Sequence, residues 1–266
     1  MSNRSGNSEF IKTFNGIAKH KHRYTVFSDF VTLSAISIHN AMNKNEALEK
    51  EYMSIISGYS KEEALAFSKL LAELVMLLEP EPTDILGGLY MSLDLINNNG
   101  NKGTGQFFTP PHISTFMAQV LCNGNITLPD DGFITLSEPA CGAGGMVLAF
   151  VNQLIQQKHN PLHTLWAQCI DVDRVAALMC YLQLSLWHVP AQVIVGNTLS
   201  MKFQEVFYTP AHYLGFWEHK IRKRDKKNTK TKETKKSENV EPSTAKPSSE
   251  IINLDDMVQT DIFENL

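Results

Sequence analysis

Three short β-branched runs alternate with helical segments between residues 111 and 208, and that alternation restricts the fold more than any other feature of the chain. GFITLSEP, HTLWAQCIDV and AQVIVGN read as strands, while PPHISTFMAQVLC, GGMVLAFVNQLIQQ and DRVAALMCYLQLSLWHV carry the three- and four-residue apolar spacing of helices. EVFYTP reads as one more strand. Strands that alternate with helices build right-handed βαβ units, so the expected fold is α/β: a doubly wound, mainly parallel, Rossmann-like sheet of about four strands. A ligand of such a sheet sits at the carboxyl ends of its strands.

The chain before this region is helical in pattern. FSDFVTLSAISIHNAM, KNEALEKEYMSIISGY and SKEEALAFSKLLAELVMLLE repeat apolar residues at three and four. Ser60 followed by Glu63 predicts a capping box at the start of the last of these. Pro80 and Pro82 close it, TDILGGLYMSLDLI reads as a further helix, and NNNGNKGTG as a flexible hinge. The expected division is a flexible N-terminus over 1–24, a helical region over 25–100, an α/β domain over 101–217, a basic disordered tail over 218–250 and an acidic segment over 251–266. The tail is nearly free of apolar residues and buries too little surface to offset its ordering entropy. The final segment, IINLDDMVQTDIFENL, is acidic and amphipathic, either a docking helix or an unstructured end.

Charge is unevenly placed. Ten Lys and Arg fall between Lys220 and Lys236, and three acids between Glu218 and Lys236; of totals of 24 basic and 28 acidic residues this leaves 14 and 25, a net of −11 for the rest of the chain. No apolar run approaches the roughly 20 residues that cross a bilayer, and the start, MSNRSGNSEF, is polar, so a cytoplasmic location is expected. Cys122, Cys141, Cys169 and Cys180 form no CxxC pair and are expected to be buried free thiols, with no metal site. His20 and His22 lie in a basic stretch expected to be solvated surface.

SEPACGAGG, residues 137–145, follows the strand FITL and precedes a helix. A glycine-rich turn there lets a ligand approach the backbone and aims helix N-terminal amides at it. Gly142, Gly144 and Gly145 do not have the GxGxxG spacing that cradles a pyrophosphate, and Glu138 beside Pro139 puts a carboxylate where it would repel phosphate. A cationic cofactor without phosphate fits better. Asp171 ends the next strand, where a ribose diol is gripped. Asp173 is the better helix cap, which frees Asp171 for a ligand.

GTGQFFTPPHIS, SEPACGAGG, IDVDRVAALM and VGNTLS, in this order behind a helical region, resemble the N6-adenine DNA methyltransferases of the type I restriction-modification methylation-subunit family. The resemblance covers roughly residues 84–217. It implies S-adenosylmethionine as cofactor. Gln106, Phe107, Phe108 and Thr109 would fold against its methionine part, with one phenylalanine ring over the sulfonium as a cation–π contact and the other in the core. Glu138, Pro139 and Ala140 would face the methionine end, Gly142, Gly144 and Gly145 would let the cofactor lie close, and Asp171 would take the ribose hydroxyls.

The family's catalytic element is a polar-Pro-Pro-aromatic turn after the fourth strand, which accepts the adenine amino hydrogens and stacks on a flipped base. Laid on it, EVFYTPAHYLGFW places Thr209 at the polar position, Pro210 and Ala211 at the prolines and His212 at the aromatic, an altered and weakened version. VGNTL places Asn197 where the family has aspartate. The implied function is S-adenosylmethionine-dependent methylation of adenine N6 in DNA. The chain has only YLGFW after this turn and no target-recognition domain, so it would be stand-alone and of low sequence specificity. The basic stretch 220–236 would hold DNA by its phosphates, with single-stranded DNA the cheaper substrate. A parallel sheet ending on EVFY exposes a pairing edge, expected to be covered by the helical region, a second copy or another subunit. The alternative is a catalytically inactive methyltransferase-fold binding module, acting in antirestriction or as a partner subunit.

Overall fold

A computed structural model of the protein describes residues 2–93, 95, 108–122 and 125–236. The chain divides into two units, Met1–Lys223 and Arg224–Leu266. The first unit opens with five helices: α1 (Ser2–Gly16), α2 (Arg23–Met42), α3 (Glu46–Ile56), α4 (Lys61–Leu78) and α5 (Ile85–Ser92). Their ends follow the local chemistry. Asn45 accepts from the amides of Ala47 and Leu48, and Asp84 from Gly87, each capping the helix behind it. Ser60 and Glu63 form the expected reciprocal box, with Glu63 N donating to Ser60 Oγ at 3.2 Å and Ser60 N to Glu63 Oε2 at 2.8 Å.

Within the stretch 1–24, expected to be a flexible N-terminus, residues 2–16 form α1. Phe10, Phe14 and Ile17 recur at four and three, are fully or almost fully buried, and form the stripe by which α1 lies on α4. Arg23 closes the end of this helix: its guanidinium donates to the carbonyls of Phe14, Ile17, Ala18 and Lys21. His20 and His22 are exposed. The expected hinge over 97–105 lies outside the described residues.

The α/β part runs α6 (Pro111–Cys122), β1 (Ile134–Glu138), α7 (Gly145–Gln156), a single turn α8 (Pro161–Thr164), β2 (Leu165–Asp171), α9 (Arg174–Leu186), β3 (Ala191–Asn197), β4 (Lys202–Tyr208), α10 (Pro210–Leu214) and α11 (Trp217–Lys236). The four strands form one mainly parallel sheet in the order β1-β2-β3-β4. β1 pairs with β2 and β2 with β3 in parallel, while β3 pairs with β4 antiparallel. The core strands β2 and β3 are buried along nearly their whole length, as central parallel strands are.

The direction of β4 departs from the parallel expectation. Only Thr198 to Met201 separate β3 from β4, whereas a parallel return needs a crossover of roughly a dozen residues or more. The chain therefore turns back on itself as a hairpin, with Met201 at φ 55° and a register shift at Val195/Gly196. Gly196 admits no side chain there, because a β-carbon would lie 2.7 Å from the carbonyl oxygen of Lys202.

The helical region packs on the sheet's β4 end: His39 of α2 meets the Phe207 ring edge-on at 5.4 Å between centroids, and Arg174 joins Glu51 of α3 to Glu205 of β4. Helix α11 runs through Lys236, into the stretch 218–250 expected to be a disordered tail. Lys, Arg and Glu are good helix formers, and Glu218 pairs with Arg222 one turn on. The acidic segment 251–266 lies outside the described residues.

Candidate cofactor site

Glu138, Asp171 and Asn197 end β1, β2 and β3, and because these strands are parallel their ends face one side of the sheet. β1 runs into the glycine turn, where Gly142 and Gly144 adopt φ of 52° and 91°, the left-handed region that glycine alone enters freely. Gly144 then starts α7 without a side-chain cap on the helix's first turn. Cys141 N donates to Ile170 O at 2.9 Å, tying the turn to β2.

Asp171 holds this turn directly. Its Oδ2 accepts from Gly142 N at 2.7 Å and its Oδ1 from Asp173 N at 2.9 Å. Asp173 caps α9 by accepting from Ala176 N at 2.9 Å, as its position predicts. Asp171 thus has two backbone donors, and a carboxylate retains lone pairs for a further one. Glu138 accepts from Ala140 N at 3.3 Å. Burial pushes both carboxyl groups above their ordinary range, and for each the nearby backbone donors offset part of that rise. Among the described residues no cation pairs with these two half-buried carboxylates, which suits a positively charged ligand.

Phe108 roofs the turn: a β-carbon on Gly142 would lie 3.1 Å from its ring, and the ring packs edge-on to Tyr90 at 5.3 Å. Thr109, Pro139 and Ala140 are exposed and Gly145 is half-buried. Gln106 and Phe107 lie outside the described residues. Asn197 is exposed, and its amide oxygen already accepts from Leu199 N at 2.9 Å and Ser200 N at 3.1 Å, closing the hairpin. What it can still offer a ligand is chiefly its NH2 group.

Three contributors went unread in the sequence. Thr198 Oγ1 donates to Pro139 O at 2.7 Å and joins the β3 and β1 ends. Val172, next to Asp171, is 70% exposed, an apolar surface at the strand tip suited to a base. Gln183 of α9 donates to Ala143 O at 2.8 Å and to Asp84 Oδ1 at 2.9 Å, supporting the turn from below. A helix residue 40 positions from its partner leaves no local signal.

The residues expected to hold a base do not join this group. Since β4 is antiparallel, the turn after it lies where β2 and β3 begin: Thr209 N donates to the carbonyl of Ala191, the first residue of β3. The length of β3 alone puts it about 20 Å from the Asn197 end. Thr209 is fully buried; its hydroxyl accepts from Ala191 N at 2.9 Å and donates to Val189 O at 2.7 Å. His212 is 5% exposed, accepts from Trp166 Nε1 at 3.1 Å through Nδ1, and lies against Tyr208 at 4.5 Å. Ala211 is buried and Pro210 starts α10. Thr209, Pro210, Ala211 and His212, expected from their order to be the catalytic turn, therefore lie at the opposite end of the sheet from Glu138, Asp171 and Asn197. A cavity of about 270 Å³ adjoins this corner, lined by Ile38, Leu186, Pro210, Ala211 and Leu214 among others.

Among the described residues no helix is long and apolar enough to cross a membrane. No curated protein matches the chain. Among solved structures it is similar to a chain described as a class I S-adenosylmethionine-dependent methyltransferase from Listeria monocytogenes, at 15% identity and a TM-score of 0.40 over 70% of this chain and 52% of that one. It is also similar to the type I restriction-modification system methyltransferase subunit from Streptococcus thermophilus, at 12% identity and a TM-score of 0.37 over 71% and 56%. The chain spans about half the length of either. A model of the family described as N-6 DNA Methylase matches residues 81–242, more than half of the 266 residues and the stretch that carries both the glycine turn and Asp171, and the chain belongs to that family.

Proposed function

We propose that this chain is a cofactor-binding member of its methyltransferase family that takes S-adenosylmethionine at the ends of β1–β3 and does not by itself hold an adenine for transfer. Glu138 faces the ammonium and sulfonium charge, the glycine turn lets the methionine lie close, Phe108 roofs it, Asp171 takes the ribose hydroxyls, and Val172 contacts the base. The cofactor supplies an electrophilic methyl group when bound. The observation that carries the reading is the Thr209 hydroxyl: both of its hydrogen bonds go to backbone of Val189 and Ala191 at the far end of the sheet. A group so placed is fully buried at the far end of the sheet from the glycine turn, out of position to accept from an adenine amino group. Methylation of adenine N6 in DNA then needs a base-holding segment from elsewhere, and a partner subunit is the proposed source.

A second reading has its own support. The ten cations over 220–236 lie on a helix through Lys236 and give a sequence-independent, salt-sensitive attraction for DNA phosphates. In that reading the chain is a stand-alone adenine methyltransferase of low specificity that favours single-stranded DNA, a base already unpaired being the cheaper one to extract.

Calorimetry with S-adenosylmethionine tests the cofactor, and transfer of tritiated methyl groups to single- and double-stranded DNA tests the chemistry. Uptake of cofactor without label in either DNA supports the first reading. Label that persists in a Thr209→Ala/Pro210→Ala variant of intact fold supports the second with a different base-holding element; absence of cofactor uptake removes both.

A further inference from the structure

The cavity of about 270 Å³ beside α10 lies between the helical region and the α/β part, at the end of the sheet away from the glycine turn. Ile38 of α2, Leu162 of α8, Leu186 at the end of α9, and Ala211 and Leu214 of α10 give it an almost wholly apolar lining. No Asp, Glu, Lys or Arg lines it among the described residues, and its two histidines, His163 and His188, are exposed. Interiors rarely keep a void larger than a water molecule, and a void of this size weakens the packing around it. An apolar cavity of roughly 150 Å³ holds a benzene ring, so the space here suits a molecule of about two fused rings.

One buried polar side chain belongs to this lining. Ser185 of α9 is 5% exposed, and its hydroxyl has no hydrogen-bond partner among the described residues. The Tyr181 phenol, one turn back on α9, is near enough for Ser185 to oppose the rise that burial gives it. The two oxygens nevertheless miss hydrogen-bond geometry, and both are buried without a partner. A serine hydroxyl can donate and accept, so a ligand with one hydroxyl or ring N–H satisfies it. Water is a poor occupant, because a buried water needs about two to four polar partners and this lining offers one buried hydroxyl.

We propose that this cavity is a second ligand site, separate from the cofactor site, for a neutral and mainly apolar molecule of about two fused rings that carries one hydroxyl or ring N–H. The polar group pairs with Ser185, and the rings lie against Ile38, Leu186, Ala211 and Leu214. Such a ligand touches α2, α9 and α10 together, so it fastens the helical region to the corner that follows β4. A carboxylate or ammonium group is disfavoured, since the lining holds no buried counter-charge to replace the water it would lose. The length of β3, about 20 Å, separates this end of the sheet from the glycine turn, so the two sites act independently.

The test uses the full chain, with 2-naphthol as the probe and 2-methylnaphthalene, its methyl isostere, as the control. Calorimetry is expected to find one 2-naphthol per chain, and thermal melts a saturable rise in melting temperature, because a ligand of the folded state stabilises it by mass action. Ser185→Ala is expected to weaken 2-naphthol about fivefold, as the loss of one net hydrogen bond would, and to leave 2-methylnaphthalene within about twofold. Ala211→Leu fills the cavity and is expected to abolish uptake of both compounds. Should that variant not fold, Leu214→Trp obstructs the cavity from a position that is 67% exposed, with the same expectation. No saturable uptake, uptake that survives the obstructing variant, or an unchanged 2-naphthol affinity in Ser185→Ala overturns the proposal. So does displacement of 2-naphthol by S-adenosylmethionine, or its loss in Asp171→Ala, since either would put the probe in the cofactor site instead.

Discussion

Gln183 donates to Asp84 Oδ1 at 2.9 Å, and the same amide nitrogen donates to Ala143 O at 2.8 Å, so one buried side chain joins the start of α5 to the cofactor turn. Its oxygen accepts from Ile85 N at 2.8 Å and Leu86 N at 3.1 Å. All four bonds lie in a region with Gln183 fully buried and Asp84 8% exposed. Burial raises the Asp84 carboxyl, and the Gln183 and Gly87 bonds oppose that. Leucine has nearly the volume of glutamine but leaves this carboxyl one donor short and two amides without an acceptor. At about 1–3 kcal/mol per stranded buried group, Gln183→Leu is expected to destabilise the protein by about 3 kcal/mol or more, read as a lower urea midpoint. An unchanged midpoint means that the network is not formed in solution.

Thr209 separates a structural corner from a catalytic one. Thr209→Val keeps the shape but strands Ala191 N and Val189 O, at an expected cost of about 2–3 kcal/mol, while Thr209→Ser is expected to cost under about 1 kcal/mol. Cofactor affinity of the folded fraction should stay within about twofold, because the change is far from the turn. Thermal melts beside calorimetry make the comparison. Intact stability with lost methyl transfer would restore the catalytic reading.

The order of elements and the glycine turn were legible because both are local: periodicity, caps and a strand-turn-helix junction are written in consecutive residues. So was Asp173 as the cap of α9. The antiparallel β4 was not read although the decisive fact is also local. Four residues between AQVIVGN and KFQEVFY cannot contain a crossover, and a hairpin sends Thr209 to the end of the sheet away from the glycine turn. The Phe10, Phe14, Ile17 stripe in α1 was likewise readable behind its polar neighbours. Gln183 and Thr198 were not, since their partners are 40 and 59 residues away and only the folded chain selects them.

Asp171 both shapes the turn and faces the proposed ligand, and two substitutions separate these tasks. Asp171→Asn, with its oxygen towards the Gly142 amide, keeps that acceptor and loses the charge and the acceptor for Asp173 N; Asp171→Ala loses both acceptors and the charge. A hydrogen bond to a charged acceptor contributes about 1.5–3 kcal/mol, so S-adenosylmethionine affinity is expected to fall about tenfold or more in the first and further in the second. Only the second should raise hydrogen exchange at residues 141–145. Equal affinity for wild type and Asp171→Ala, by calorimetry, would remove Asp171 from the site.

His212 makes stability depend on pH in a direction that can be worked out. Burial lowers its ring from 6.5 to about 4, and the neutral ring accepts from Trp166 Nε1. The unfolded chain therefore takes up a proton near pH 6.5 that the folded chain refuses until about pH 4. The contribution is fully present above 6.5 and is lost as pH falls from there towards 4, by about 3 kcal/mol in all and about 2 kcal/mol of it between pH 7 and pH 5. His39, lowered by burial too, acts in the same sense. Asp84, Glu138 and Asp171, raised by burial, act in the opposite one. The difference between wild type and His212→Asn isolates the ring, because asparagine keeps an acceptor for Trp166 and does not titrate. Urea midpoints at pH 7 and pH 5 are expected to fall further in wild type than in the variant; parallel losses would show that the imidazole is not held neutral in the fold.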